Sequence, residues 1–310
     1  MHGQVGNRRR PAGLLSGAVT APLLVFDAPS LLFRAFHALP DSIKGPDGRP
    51  VHALLGSVNL ALQVVEKRRP RAVVACFGPD AAPYRVELYP AYHAARPEMP
   101  EDLAHQWPQA GPLYEALGWT VASDDRVEAD DLLGSYATVE EQAGGEALIL
   151  TGDRDMFQCV GDRVKVLYVR TGKSGPDEVD TGEVQRRYGI PPQLVPDFIA
   201  LRGDPSDGLP GARGIGEKTA AQLLREHGSL EGVLTVAQRV TGPLRPRVAG
   251  TLRECAEELR AFREIATLRT LPVERPPDSP LDGDAGAAAA RELGMNRLAE
   301  RLEKLAGAGG

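Results

Sequence analysis

EALILTGDRD, residues 146–155, is the stretch whose reading decides the fold. Glu146 to Leu150 is a near-continuous apolar run, as a parallel strand covered on both faces requires, and it stops at a turn carrying two carboxylates, Asp153 and Asp155. Leu23 to Phe26 repeats the arrangement with Asp27 at its carboxyl end. Arg71 to Phe77, Trp119 to Val121 and Val164 to Val169 read as further strands, and residues 53–66, 102–117 and 128–143 have helical spacing. The alternation predicts an α/β fold with a mostly parallel central sheet flanked by helices.

Open sheets of this kind place their sites beyond the carboxyl ends of the strands. Asp27 and Asp153 fall there, Glu128, Asp130 and Asp131 open a helix in the sequence VEADD, and Asp204 and Asp207 lie in GDPSD. Taken singly, each acid has a plain reading as a helix cap or a solvated loop residue. Together they repel one another and are costly to desolvate unless a cation is held between them. Oxygen donors without clustered Cys or His favour Mg2+ or Mn2+ over zinc, and eight carboxylates exceed the needs of one ion, so two or more ions are expected. A pair of ions suits phosphodiester hydrolysis.

Composition is compatible with that chemistry. The chain has 310 residues, enough for a large domain and a smaller one, with 42 Asp and Glu against 36 Lys and Arg. Setting aside the eight clustered acids leaves 34 against 36, so a basic path beside an acidic centre is allowed. Cys76, Cys159 and Cys255 are isolated, which disfavours a disulfide framework or structural zinc. Residues 1–20 read as a flexible extension. The apolar run that follows Arg8, Arg9 and Arg10 is broken by two prolines and by Asp27, so no signal peptide is expected. A cytoplasmic, monomeric protein without a membrane span is the expectation.

The organisation predicted is a core over residues 21–190, a helical module over 191–272, and a low-complexity linker with a short helix near 299–305 in the remainder, 273–310. Within the core, residues 78–110 form a clamp-like excursion in which Arg85, His93 and Arg96 interleave with Tyr84, Tyr89 and Tyr92, the mixture that handles phosphates and unstacked bases. Arg85 is the first choice for neutralising a scissile phosphate. In the helical module, GARGIGEKT is not a P-loop, because Glu217 separates the last glycine from Lys218. It reads as a helix–hairpin–helix turn in which Gly211, Gly214, Gly216, Lys218 and Thr219 meet a DNA backbone, against the plainer reading of a glycine cap between two helices. An aspartyl-nucleophile phosphatase would need a second Asp at position 29, which is proline, and no GxGxxG follows the first strand for hydride transfer.

The segments VFDAPSLLFRAFHAL, YRVELYPAYHAAR, VEADDLLGSYA, ILTGDRDMFQ and LRGDPSDGLPGARGIGEKTAAQLL, spread over residues 23–235, carry a resemblance. In content and order they are similar to the 5′ nuclease family, the 5′→3′ exonuclease and flap endonuclease module found at the amino end of bacterial DNA polymerase I and as free-standing proteins. The length implies the free-standing form. The resemblance implies a PIN-like core and places Asp27, Glu128, Asp130 and Asp131 around a first metal region. Asp153 and Asp155 then fall between the metals, and Asp204 and Asp207 in the second region. It also implies that Arg85 and Arg96 grip substrate phosphates, that K+ sits in the turn of Gly214 and Gly216, and that the substrate is DNA with a 5′ flap, nick or overhang, or an RNA primer. Two positions depart from the pattern: Gly78 stands where the family has aspartate, and His93 where it has lysine. A branched-DNA binder with a weakened metal site is the alternative these departures keep open.

Overall fold

The computed structural model describes residues 21–170, 175–239 and 241–308, so the extension read at 1–20 lies outside the described residues. Strands β1 (Leu23–Asp27), β2 (Ala72–Phe77), β3 (Thr120–Ser123), β4 (Ala147–Thr151) and β5 (Val164–Tyr168) run parallel, and β6 (Asp177–Val179) pairs antiparallel with β5. Their order across the sheet is β3-β2-β1-β4-β5-β6. Helices α1 (Ala28–Ala38) and α2 (His52–Arg68) connect β1 to β2, α3 (Pro83–Leu88) and α4 (Glu101–Ala116) lead to β3, and α5 (Ala129–Gln142) returns to β4. The helical half comprises α6 (Thr181–Tyr188), α7 (Val195–Arg202), α8 (Glu217–His227), α9 (Leu230–Ala237), α10 (Pro246–Glu254) and α11 (Ala256–Ala266), and α12 (Gly283–Glu292) and α13 (Asn296–Ala308) follow.

Side chains alternate across a strand, and here that period divides the interior in two. Leu23, Val25, Val74, Cys76 and Ile149 join the helical half and α5 in one core, while Leu24, Phe26, Val73, Ala75 and Leu150 join α1, α2 and α4 in the other. Asp27 and Thr151 are the next residues on the first face, so both side chains arrive at the carboxyl edge beside α5. Helix α1 was not evident in the sequence because Pro29 lies near its start. Proline is tolerated in the first turn, where its missing N–H has no intrahelical acceptor, and Asp27 caps Ser30 N at 2.9 Å. Helices α10 and α11 meet at Cys255, which caps the end of one and the start of the next.

The carboxy-terminal stretch departs most from expectation. Residues 273–282 are not a loose linker but a strap along the back of the core. Arg71, 6% exposed, and Arg275 both pair with Glu140, which is fully buried. Arg71 Nη1 also donates to Pro276 O at 2.7 Å, and Ser279 N to Arg71 O at 2.8 Å. The strap delivers α12 and α13 as a hairpin against α4, where Ala287, Ala290, Leu298, Ala299 and Leu302 complete the second core. Glycines 283 and 286 make this fit possible, since a Cβ on Gly286 would stand 2.5 Å from Leu117 Cδ2 and one on Gly283 2.6 Å from Leu302 O. Truncating Leu302 to alanine is expected to lower the unfolding free energy by about 2–5 kcal/mol. Urea unfolding measures it, and a loss below about 0.5 kcal/mol would show that the hairpin is not part of the cooperative fold.

Candidate metal centre

Asp27, only 5% exposed, ends β1 with both oxygens engaged: Oδ1 accepts from Ser30 N at 2.9 Å and Oδ2 from Thr151 Oγ1 at 2.8 Å. Thr151 Oγ1 in turn accepts from Asp153 N at 3.0 Å, and Asp153 Oδ1 from Asp155 N at 2.8 Å, so one chain of hydrogen bonds fixes three acids across β1 and β4. Arg34 closes the far side by donating to Gly152 O at 2.6 Å. Sequence reading passed over Arg34, although its i+4 step from Ser30 on α1 puts it on the face that meets this turn.

The electrostatics sort the acids into two groups that share Asp153. Burial lifts the Asp130 carboxyl well above its ordinary range, and the charges of Asp153, Asp27 and Glu128 lift it further. Burial likewise raises Asp155, with Asp153, Asp207 and Asp204 as its repelling neighbours. Asp153 is pushed up to about 6 by burial, against the help of the Asp155 N–H, and by Asp207, Asp27 and Asp204. Asp27 is raised by burial despite the Ser30 and Thr151 hydrogen bonds.

Among the described residues, the carboxylates of Asp130 and Asp155 accept no hydrogen bond and form no ion pair. No three His, Cys, Asp or Glu side chains among those residues are drawn together tightly enough to hold an ion by themselves. Mg2+ asks for no tighter cage, because it keeps several waters and takes one or two carboxylates along with substrate phosphates. An all-oxygen set with two undonated carboxylates fits such an ion.

Asp131 and Arg85 take positions other than those expected, and protein donors hold Glu128 beside them. Asp131 is fully buried and points into the protein: Oδ1 accepts from Arg269 N at 2.7 Å and pairs with Arg85 Nη2 at 3.2 Å, while Oδ2 accepts from Tyr84 OH and Glu128 N, each at 3.2 Å. Its oxygens are committed to scaffolding. Glu128 is 8% exposed and accepts from Ala82 N at 2.7 Å and Tyr92 OH at 3.0 Å, with Arg85 Nη1 2.5 Å from Oε2. Arg85 itself is 3% exposed, so the expectation that it grips a phosphate is corrected: it faces inward, between two carboxylates that would otherwise be buried without a counter-charge.

The other two cations of the excursion do reach the acids. His93, held at φ 56° and stacked on Tyr92, places Nε2 3.2 Å from Asp207 Oδ1. Arg96 spans Asp80 at 2.8 Å and Asp207 at 3.2 Å. Gly208 lies so near Ala91 O that an added Cβ would approach to 3.0 Å, and this closeness seats the excursion on the GDPSDG loop. Arg202, also passed over in the sequence, pairs with Asp204 at 3.2 Å and lies over the Phe198 ring.

The glycines divide by role. Gly211, at φ 63°, has its Cβ position 2.3 Å from Gly203 N, so it closes the base of the 204–210 loop and does not face outward. Gly214 and Gly216 are exposed, and a Cβ on either would meet nothing within 4 Å. Gly216, with φ −91° and ψ −178°, is the N-cap of α8 in a backbone any residue adopts, with exposed Lys218 and half-buried Thr219 in the first turn. Gly78 shows why no aspartate stands after β2. A Cβ there would lie 2.6 Å from Val127 O, 2.7 Å from Ala129 N and 2.8 Å from Glu128 C, so the start of α5 occupies the space of a side chain.

Two predictions follow from this geometry. Substituting Gly78 by Asp should lower stability by about 1–3 kcal/mol or more without improving divalent-ion binding. Thermal unfolding and Mn2+ titration check it, and a stable variant with tighter binding would show that α5 can retreat. Asp153, raised in the folded state, binds more protons there than in the unfolded chain between pH about 4 and about 6. Stability of the metal-free protein should therefore fall as pH rises through that window. Urea midpoints in chelator should show a shallower fall for Asp153→Asn, and an unchanged slope would remove Asp153 as its source.

Comparison with known proteins bears on the fold and the family. The family described as 5′-3′ exonuclease, N-terminal resolvase-like domain, matches residues 22–189, and 5′-3′ exonuclease, C-terminal SAM fold, matches residues 190–280. A 5′-3′ exonuclease of Streptomyces coelicolor is 36% identical over 298 residues, covering 90% of this chain and 98% of that one. DNA polymerase I of Mycobacterium tuberculosis is 38% identical over 295 residues, 93% of this chain, which spans only 32% of that relative's length. Among solved structures, the T5 D15 protein co-crystallised with metal ions superimposes with a TM-score of 0.68 at 16% identity, covering 92% of this chain and 99% of that one. The catalytic core of Rad2 in complex with DNA substrate gives 0.58 at 15% identity, covering 94% of each. Matches running from residue 22 to residue 280, and a relative aligned over nearly its whole length, place this chain in the 5′-3′ exonuclease family.

Proposed function

We propose that the chain hydrolyses phosphodiesters near the 5′ ends of DNA, at flaps, nicks and overhangs and in primer RNA, with Mg2+ or Mn2+ held at the carboxyl edge of the sheet. One observation carries this reading: Asp153 joins two groups of carboxylates at an open strand edge, and two members, Asp130 and Asp155, have no donor among the described residues. Asp27, Glu128 and Asp130 would serve one ion and Asp155, Asp204 and Asp207 a second, with Asp153 between them and Asp131 as a holder. Bound by these residues, the ions would supply acidified water as nucleophile and positive charge at the leaving oxygen.

The chain's own groups do the rest. Asp27 and Asp153 are fixed before substrate arrives, through Thr151 and the Asp155 N–H, so little reorganisation is left for the reaction. Arg96, partly exposed at 37%, is the excursion's group that would take the phosphates of a passing strand on the Asp207 side, with His93, 4% exposed and engaged through both ring nitrogens, behind it. The bare N-terminus of α8, with Gly214, Gly216 and Lys218, would hold duplex backbone, and K+ is assigned to the same turn. Nothing in the fold demands glycine at 216, which favours a ligand that approaches the backbone closely. Contacts of this kind select shape over sequence. A groove of about 580 Å³ between α1 and α2 reaches Ser30 and Arg34 but none of the eight acids.

Three free thiols and the absence, among described residues, of any helix long and apolar enough to cross a membrane are compatible with action in the cytoplasm as a monomer. The test is a labelled 5′-flap duplex with Mg2+, Mn2+ or chelator. Cleavage by the protein with either ion is expected, lost in chelator and in Asp153→Ala while flap binding persists. Tight binding without cleavage under every condition would favour the branched-DNA binder. Gly216→Asn, which keeps a favoured N-cap, should leave the unfolding free energy within about 0.5 kcal/mol while weakening duplex binding, and equal binding would move the backbone contact elsewhere.

A further inference from the structure

Arg85 is placed where three separate parts of the chain meet. Its Nη1 reaches Glu128 Oε2 at 2.5 Å, Nη2 reaches Asp131 Oδ1 at 3.2 Å, and Nε donates to Ile265 O at 3.1 Å near the end of α11. The contacts around it tighten the same junction. Tyr84 OH donates to Asp131 Oδ2 at 3.2 Å, the Arg269 guanidinium lies 3.3 Å from the centre of the Tyr84 ring, and Arg269 N donates to Asp131 at 2.7 Å. Tyr92 OH and Ala82 N, both on the excursion, hold the two oxygens of Glu128. Gln158, in the 3-10 turn that opens at Asp155, accepts from Leu268 N at 3.1 Å and donates to Ala266 O at 2.9 Å.

The segment 265–269 is therefore bonded to the excursion, to the acidic start of α5 and to the turn behind Asp155. Its helix, α11, packs on α7, which ends just before Asp204. A planar guanidinium with donors in three directions fits this junction, and an ammonium, a compact charge on a flexible stem, does not reproduce it.

We infer that Arg85 is a positioning residue: it locks the Glu128 carboxylate to the end of α11, so that divalent-ion affinity at the Asp27, Glu128 and Asp130 group depends on how the helical module is seated. This rests on the proposed metal centre. Partners that hold ligating groups typically change metal affinity by about ten- to a hundredfold when removed. Arg85 acts in this way through Glu128, and the duplex-facing module and the acidic edge are mechanically one unit.

The experiment is Mn2+ titration of the whole DNA-free protein, read by the electron paramagnetic resonance of the free ion, on the native chain, Arg85→Lys, Glu128→Gln and the double variant. Circular dichroism reports folding, and flap cleavage is measured over a range of Mn2+. Arg85→Lys should bind Mn2+ about tenfold or more weakly at one site. Its kcat should fall at limiting Mn2+ and recover at high Mn2+, with KM for the flap unchanged. In the Glu128→Gln background the lysine should add no further loss. Unchanged Mn2+ affinity with a raised KM would return Arg85 to phosphate binding, and no change in either would make it a bystander; both overturn the inference. If Arg85→Lys does not fold, Tyr92→Phe removes another donor to Glu128 Oε2, and unchanged Mn2+ affinity there overturns it equally. Retention of full Mn2+ binding by both Glu128→Gln and Asp153→Ala would instead overturn the metal centre itself, a separate result.

Discussion

Like-charge repulsion at the carboxyl edge of the sheet is the constraint around which this molecule is arranged. The central strands end together, so Asp27 and Asp153 come within each other's field, and α5 and the 204–207 loop bring in five more carboxylates. The protein meets part of this cost internally. Backbone N–H groups hold Asp27 and Asp153, and Arg85 neutralises Glu128 and Asp131. Those contacts separate acids that build the edge from acids that face out of it. Among the described residues Asp130 and Asp155 accept no hydrogen bond and form no ion pair, and Arg85 and Arg202 offset their charge only from a distance, so a divalent ion beside them would lower the energy.

How far this was legible in the sequence follows from the chemistry of each segment. Parallel strands buried on both faces are written as apolar runs, so the sheet and the position of Asp27 and Asp153 at its edge were readable. Helix α12, GDAGAAAARE, packs through glycine and alanine, a composition that resembles a linker, so a well-packed helix read as low complexity. Composition placed cations among tyrosines in the excursion but carries no sign of which way a guanidinium points. Arg96 faces out and Arg85 faces in, and only the buried partners of Arg85 decide that. For Asp131, its place at the opening of a helix was readable, yet the capping box with Glu128 turned the carboxylate inward.

Gly78 illustrates how a missing side chain acquires meaning only in three dimensions. In the sequence it is the loss of an expected carboxylate. In the fold it lets the backbone of residues 127–129 lie against the end of β2, which brings Asp130 close enough to Asp27 for their charges to interact. The nearby Asp80 does not fill that role, since its carboxylate is 65% exposed and paired with Arg96.

The strap and hairpin at the carboxy end have a consequence for the order in which the molecule is made. Arg71 finds Pro276 across 205 residues of chain, and the second core lacks one wall until α12 and α13 are in place. Contacts of such separation form late, because a long loop must close before they reward it. On the ribosome, the faces of α2 and α4 that this hairpin covers stay open to water while the helical half is being synthesised. The nascent chain thus passes through a period of exposed apolar surface, in which it is a natural client for chaperones.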